Sequence, residues 1–170
     1  VVSTITDNFE IILVEDGSPD NSWEAIERNC MKDPRVKGIK LSKNFGQHYA
    51  ITAGFQSSKG KYVVLMDCDL QDNPKYIVDL HEKVISANVD IVYTRKQKRQ
   101  HGLLKNISAS LFFLIFNILT NNHKADDKTG SYSLLSRKAV DALCQIKDYH
   151  RHYLMLLKII GFNSSTIDIV

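Results

Sequence analysis

Two aspartates stand two residues apart at the end of an apolar run. In VVLMDCDLQD, residues 63–72, Val63 to Met66 lead into Asp67, Cys68 and Asp69, with Gln71 and Asp72 close behind. Side chains at i and i+2 of an extended segment point the same way, so Asp67 and Asp69 can face one ligand. Two carboxylates at that spacing repel each other unless something positive lies beside them. A divalent cation such as Mg2+ or Mn2+ meets that need, and Mg2+ is commonly held by one or two carboxylates together with substrate phosphates. A bare DxD also arises as a simple turn cap. A second acidic pair, Glu15-Asp16, follows another apolar run, Ile11 to Val14, and the repetition favours a shared ligand site.

The basic residues complement these acids. From Ile91 to Ala125 there is no Asp or Glu, yet there are six Lys or Arg: Arg95, Lys96, Lys98, Arg99, Lys105 and Lys124. Such a stretch can hold phosphates or lie on an anionic membrane surface. It runs into the apolar segment LFFLIFNIL, 111–119. A basic loop joined to an apolar helix is the pattern of an interfacial element, with a core helix as the competing reading. His48 opens another helical segment and could approach phosphates, because helix N-termini attract anions. A lone His is more often a packing or surface residue.

These groups need a scaffold, and the pattern of the chain supplies one. Apolar runs at 11–14, 36–41, 61–67 and 89–95 read as strands, and the segments between them read as helices. Asn21, with Glu24 three residues on, suits the start of the first helix. Asn73 and Pro74 suit the start of the third. Strictly alternating strands and helices predict a parallel, doubly wound sheet. Ligands bind such sheets outside the carboxyl ends of the strands. The exits to read are therefore Glu15-Asp16, Ser42-Lys43-Asn44, Asp67-Cys68-Asp69 and Thr94-Arg95. Beyond them, 107–119 reads as a long apolar helix, SYSLLS as a strand, 137–146 and 151–161 as helices, and STIDIV as a closing strand. Asp72 suits the start of the third helix, where negative charge favours the helix dipole. Cys68 is expected to turn away into packing.

Composition sets wide bounds. The chain has 170 residues, 44% hydrophobic and 24% charged, with a net charge of +3, which suits one globular domain and points to no nucleic-acid partner. Its three Cys, at 30, 68 and 144, are widely spaced, which argues against a disulfide framework or a zinc site and for a reducing compartment. The longest apolar stretch falls short of the ~20 residues that span a bilayer. The expected location is the cytoplasm, at the inner face of the membrane. A chain that opens at Val1 rather than Met is expected to be a fragment of a longer protein.

VEDGSPDNS, LSKNFGQHYAITAGF, GKYVVLMDCDLQDNP and TGSYSLLSRKAV stand in the order and spacing of family 2 glycosyltransferases, and the chain resembles that family over roughly 9–170. It is most similar to the polyprenyl-phosphate branch, which includes dolichyl-phosphate mannose synthase, bactoprenol glucosyltransferases and undecaprenyl-phosphate aminoarabinose transferases. The resemblance implies a GT-A fold: an α/β, Rossmann-like, mostly parallel sheet with helices on both faces, here lacking its first strand. It implies inverting sugar transfer from a UDP- or GDP-sugar, with Mg2+ or Mn2+, to a polyprenyl phosphate. It places Glu15, Asp16, Ser18, Asn44, Asp67, Cys68, Asp69 and Ser131 at the donor, with Asp16 the better nucleoside contact of its pair. It places Asp67, Asp69 and Gln71 at the metal. Asp69, Arg95 and Asp127 are the catalytic candidates. Ser131 and Ser133 stand where many relatives carry Asp and Arg.

Three rivals follow from the same residues. A sugar hydroxyl could replace the lipid phosphate as acceptor, with Asp126 or Asp127 as general base. The domain could bind a nucleotide sugar without turning it over. A receiver-like Mg2+ module would show acidic pairs but no nucleotide binding. A homo-oligomer is compatible with all of them.

Overall fold

A computed structural model describes residues 1–96, 129–147 and 152–169. A short 3-10 turn, Val2–Thr4, precedes β1 (Ile11–Glu15), α1 (Ser22–Lys32), β2 (Val36–Lys40), α2 (Gln47–Ser57), β3 (Tyr62–Leu65), α3 (Tyr76–Ser86) and β4 (Ile91–Lys96). Then come β5 (Thr129–Ser136), α4 (Arg137–Gln145), α5 (Tyr153–Ile160) and β6 (Ser164–Ile169). The alternation expected from the apolar runs is present, with boundaries shifted by a few residues. The long apolar helix expected at 107–119 lies outside the described residues.

Local chemistry explains the helix ends. Asn21 holds the N-cap position of α1 without a side-chain bond; Asp20 takes that role, its Oδ1 accepting from the Ser22 N–H at 3.0 Å. Asn73 Oδ1 accepts from the Lys75 N–H at 3.0 Å, just ahead of α3. Ser136 caps α4 by accepting from the Ala139 N–H. Gly161 ends α5 in the left-handed conformation, φ 68°, where the missing Cβ removes the steric penalty.

The strands form two sheets rather than one doubly wound parallel sheet. β1 pairs with β2 in parallel, and the second sheet runs β3-β5-β4-β6. β5 is antiparallel to both β3 and β4, while β6 is parallel to β4. The order is mixed because the chain re-enters between β3 and β4 from the opposite end. Among the described residues each sheet has an edge strand carrying a site loop: β1 pairs with β2 alone and β3 with β5 alone.

Burial separates the two sheets. On one face of the larger sheet, Ile91 and Leu135 meet Phe55 of α2, Ala139, Val140 and Leu143 of α4, and Leu156 and Leu157 of α5. On the other face, Val92, Tyr132 and Leu134 meet Leu80 and Val84 of α3. Adjacent residues of β5 thus point to opposite cores, as the strand period requires. The smaller sheet is shallower. α1 lies on it at Gly38, where an added Cβ would sit 2.7 Å from Ile26 and 3.2 Å from the Trp23 ring. α2 packs on both sheets: Gly54 faces Val14 of β1, while Phe55 belongs to the larger core.

Candidate functional site

The carboxyl ends of β1 and β3 meet the N-terminus of α2, and the polar side chains at that junction bond to one another. Asp16, just past β1, accepts the N–H of Phe45 with Oδ1 and that of Gly46 with Oδ2, each at 2.8 Å. Gly17 follows at φ 71°, and a Cβ there would lie 2.4 Å from the Asn44 amide nitrogen. A glycine is therefore required twice over, by backbone angle and by the approach of the β2–α2 loop. Asn44 and Ser18 are exposed on these two loops.

Glu15 is the buried member of its pair, 4% exposed. Its Oε1 accepts from the Ser18 N–H, and its Oε2 is buried with no hydrogen-bond partner among the described residues. Both oxygens of Asp16 are committed to the β2–α2 loop, and the open acceptor belongs to Glu15. A buried carboxylate oxygen without a donor is costly, so this atom suits an N–H supplied by a ligand.

Asp67 lies two residues beyond β3 and is half-buried. Gln47, the first residue of α2, donates Nε2–H to its Oδ1 at 3.2 Å, and Ser131 on β5 donates its hydroxyl to Oδ2 at 3.1 Å. Asp69 is exposed, its Oδ1 accepting from the Gln71 N–H at 3.0 Å. Leu70 between them adopts φ 65° and is 94% exposed. Gln71 therefore shapes the Asp69 turn through its backbone. Cys68 is exposed, contrary to the packing expected of it, because the chain has left the strand by then. Asp72 is buried at 6% exposure, just before the turn into α3.

Arg95 near the end of β4 forks onto Asp168 of β6, with Nε–Oδ1 at 2.6 Å and an Nη–Oδ2 contact at 3.1 Å. The guanidinium holds the Asp168 carboxyl below its usual value, chiefly by hydrogen bonding. The residue expected on the acceptor side thus also clamps two neighbouring strands. His48 meets His152 with ring centroids 5.0 Å apart, and the Tyr153 N–H points at His48 Nδ1 at 3.5 Å. Burial first, and the His152 charge second, lower the His48 pKa. Asp126, Asp127 and most of the basic stretch lie outside the described residues.

Gln47, His152, Tyr153 and Asp168 were missed in the sequence. Gln47 opens α2 one residue before His48, so the same helix-start signal marks it. The other three are brought to the site by tertiary contacts: Asp168 to Arg95, His152 to His48, and Tyr153 to Ser133, 20 residues away, and to His48.

Asp67 and Asp69 offer hard carboxylate oxygens, which suit Mg2+ or Mn2+. Among the described residues no group of three or more His, Cys, Asp or Glu gathers as a metal cage. Two carboxylates do not complete a cation's coordination, so an ion held there would take phosphates and water as its remaining ligands.

Solved structures share this architecture. The mannosyltransferase PcManGT from Pyrobaculum calidifontis, in complex with GDP-Man and Mn2+, superposes with a TM-score of 0.57 at 15% identity, over 94% of this chain and 45% of that one. TarS 1-349 of S. aureus gives 0.60 at 12% identity, over 94% and 48%. The fold is therefore of the GT-A class. The family model "Glycosyl transferase family 2" matches residues 1–144, and the chain belongs to that family. The uncharacterized glycosyltransferase YkcC of Bacillus subtilis (strain 168) is 33% identical over 171 positions, covering 100% of this chain and 52% of YkcC. Undecaprenyl-phosphate 4-deoxy-4-formamido-L-arabinose transferase of Aeromonas hydrophila is 32% identical over 149 positions, 87% of this chain and 41% of that protein. The chain spans about half the length of such relatives. Among the described residues no helix is long and apolar enough to cross a membrane.

Proposed function

We propose that this domain transfers a sugar, with inversion, from a nucleoside diphosphate sugar to a polyprenyl phosphate at the cytoplasmic face of a membrane, with Mg2+ or Mn2+ on Asp67 and Asp69. The observation that carries the reading is the convergence of the β1 exit, the β3 exit and the α2 N-terminus on one bonded junction. The similarity to undecaprenyl-phosphate transferases supports the lipid phosphate as acceptor.

Each residue then has a task. Glu15 Oε2 accepts an N–H from the nucleoside. Asp16 holds the β2–α2 loop that lies against it. Asp67 and Asp69 hold the cation, which when bound stabilises charge on the departing diphosphate. Ser18, Asn44, Cys68 and Gln71 line the loops around the donor. A phosphate acceptor has a second pKa near ~6 and arrives largely ionised, so no strong base is needed. Asp127 is the base to test if the acceptor is instead a sugar hydroxyl.

Calorimetry of GDP and UDP, with and without Mn2+, tests the donor site in the full-length protein. Mn2+-dependent binding of one nucleotide, lost in Asp69→Ala, is expected. Absence of metal-dependent binding for both nucleotides overturns the proposal. Sugar transfer to undecaprenyl phosphate in vesicles, and none to soluble saccharides, is expected for the acceptor; the reverse result assigns a saccharide.

A further inference from the structure

β3 ends at Leu65, so no ladder bond fixes the backbone where Asp67 sits. Something else must orient that carboxylate. The β3–β5 register pairs Leu65 with Ser133, and continuing it sets Asp67 across from Ser131. The Ser131 hydroxyl makes the 3.1 Å bond to Asp67 Oδ2, while Gln47 binds the other oxygen from α2.

Behind Ser131 lies a buried polar chain. Ser133 has zero exposure, and its hydroxyl donates to the Ser131 carbonyl at 2.7 Å. Ser133 Oγ is also 2.7 Å from the Tyr153 hydroxyl. A serine has one hydroxyl hydrogen, so Tyr153 must be the donor in that second bond. The chain has one direction: Tyr153 to Ser133, Ser133 to the Ser131 carbonyl, and the Ser131 hydroxyl to Asp67. Burial pushes the Tyr153 hydroxyl pKa well above its ordinary value, so it stays protonated and remains a donor. The first two bonds fix the β5 backbone at Ser131, and from that backbone the Ser131 hydroxyl reaches Asp67.

We propose that Ser131 is a positioning residue for Asp67, held in place by Ser133 and Tyr153, so that the carboxylate is oriented before a ligand arrives. Its bearing on a metal rests on the assignment of Asp67 and Asp69 made above. A carboxylate offers about four lone-pair sites, and the two bonds from Gln47 and Ser131 leave others for a cation. Residues behind a metal ligand commonly set its affinity. This gives the two serines of TGSYS separate tasks: Ser131 orients the acid, and Ser133 joins β5 to α5.

Two measurements on Ser131→Ala and Ser131→Thr test the proposal. The first needs no ligand. In metal-free, 13C-Asp-labelled protein the Asp67 carboxyl resonance should move in Ser131→Ala and return in Ser131→Thr; an unmoved resonance overturns the clamp. The second is Mn2+ titration by electron paramagnetic resonance, in the presence of GDP or UDP. Ser131→Ala should bind Mn2+ roughly tenfold more weakly at unchanged melting temperature, with Ser131→Thr restoring affinity to within about twofold. Tyr153→Phe, which keeps the ring, should weaken binding less than Ser131→Ala. Equal Mn2+ affinity in wild type and Ser131→Ala overturns the role toward the metal. A carboxyl resonance that moves in Ser131→Ala, with a wild type that binds no Mn2+ with either nucleotide, upholds the clamp and overturns the metal assignment instead.

Discussion

The carboxylate of Asp16 accepts the backbone N–H of Gly46 at 2.8 Å, although the two residues lie 30 positions apart. Gly46 is the N-cap of α2 and carries no side chain to cap the helix itself. An acid just past β1 therefore accepts the N-cap N–H, as the Glu of a capping box does elsewhere, and its charge suits the positive end of the helix.

Replacing Asp16 by Asn leaves one carbonyl acceptor and turns an amide group toward the second N–H. We expect a loss of about 1–3 kcal/mol, the usual effect of leaving a polar partner unsatisfied. Urea denaturation monitored by circular dichroism checks this. Identical midpoints for Asp16→Asn and wild type would contradict the bond.

The Arg95–Asp168 fork makes stability depend on acid. Asp168 is held below its ordinary value of 3.8, so it binds protons less readily when folded than when unfolded. Its contribution is then present above that value and fades as pH falls through the lower, folded one. The stability gap between wild type and Asp168→Asn should be widest near neutral pH and close in acid. Denaturation across a pH series measures it; a gap that widens on acidification would reverse the assignment.

His48 should titrate below its ordinary 6.5, because burial and then His152 disfavour its charge. Removing the neighbour in His152→Ala should raise the midpoint part of the way, since burial is the larger cause. Ring-carbon NMR titration reads this directly. The protein holds His48 neutral, so this group lowers stability as pH drops below 6.5. An unchanged midpoint in His152→Ala would remove His152 as a cause.

Leu135 has zero exposure between β3 and β4, and Leu135→Ala should cost about 2–5 kcal/mol. Ile11 on β1 is 41% exposed, and Ile11→Ala should cost clearly less. Chemical denaturation of the two variants provides the comparison, and equal losses would contradict the burial difference.

Much of this was legible in the sequence, for identifiable reasons. The runs IILV and YVVL, followed by acids, marked β1 and β3 because burial and exit chemistry are local properties. The direction of β5 was not legible. SYSLLS shows a strand but not its neighbours, and the pairing of Leu65 with Ser133 closes a loop that local pattern does not encode. The spacing of Asp67 and Asp69 drew attention to the exit of β3, whereas the Gln47 and Ser131 bonds to Asp67 come from distant segments. The bonds that commit Asp16 to the β2–α2 loop were hidden, because they depend on the path of that loop. Cys68 was misplaced because strand alternation was extended past the end of β3.

The division into two sheets has a consequence for how the domain comes apart. Among the described residues, no apolar side chain of β1, α1 or β2 is fully buried, whereas β4 and β5 hold Ile91, Val92, Tyr132, Leu134 and Leu135 at 1% exposure or less. Apolar burial sets how much free energy a local opening costs. The first two strands and the helix between them thus form a weaker cooperative unit, joined to the rest through α2 and a few polar bonds. Under native conditions their amides should exchange with solvent through openings that leave the four-stranded half intact. Asp16 and Glu15 would be released in those openings while Asp67 and Ser131 stay in place.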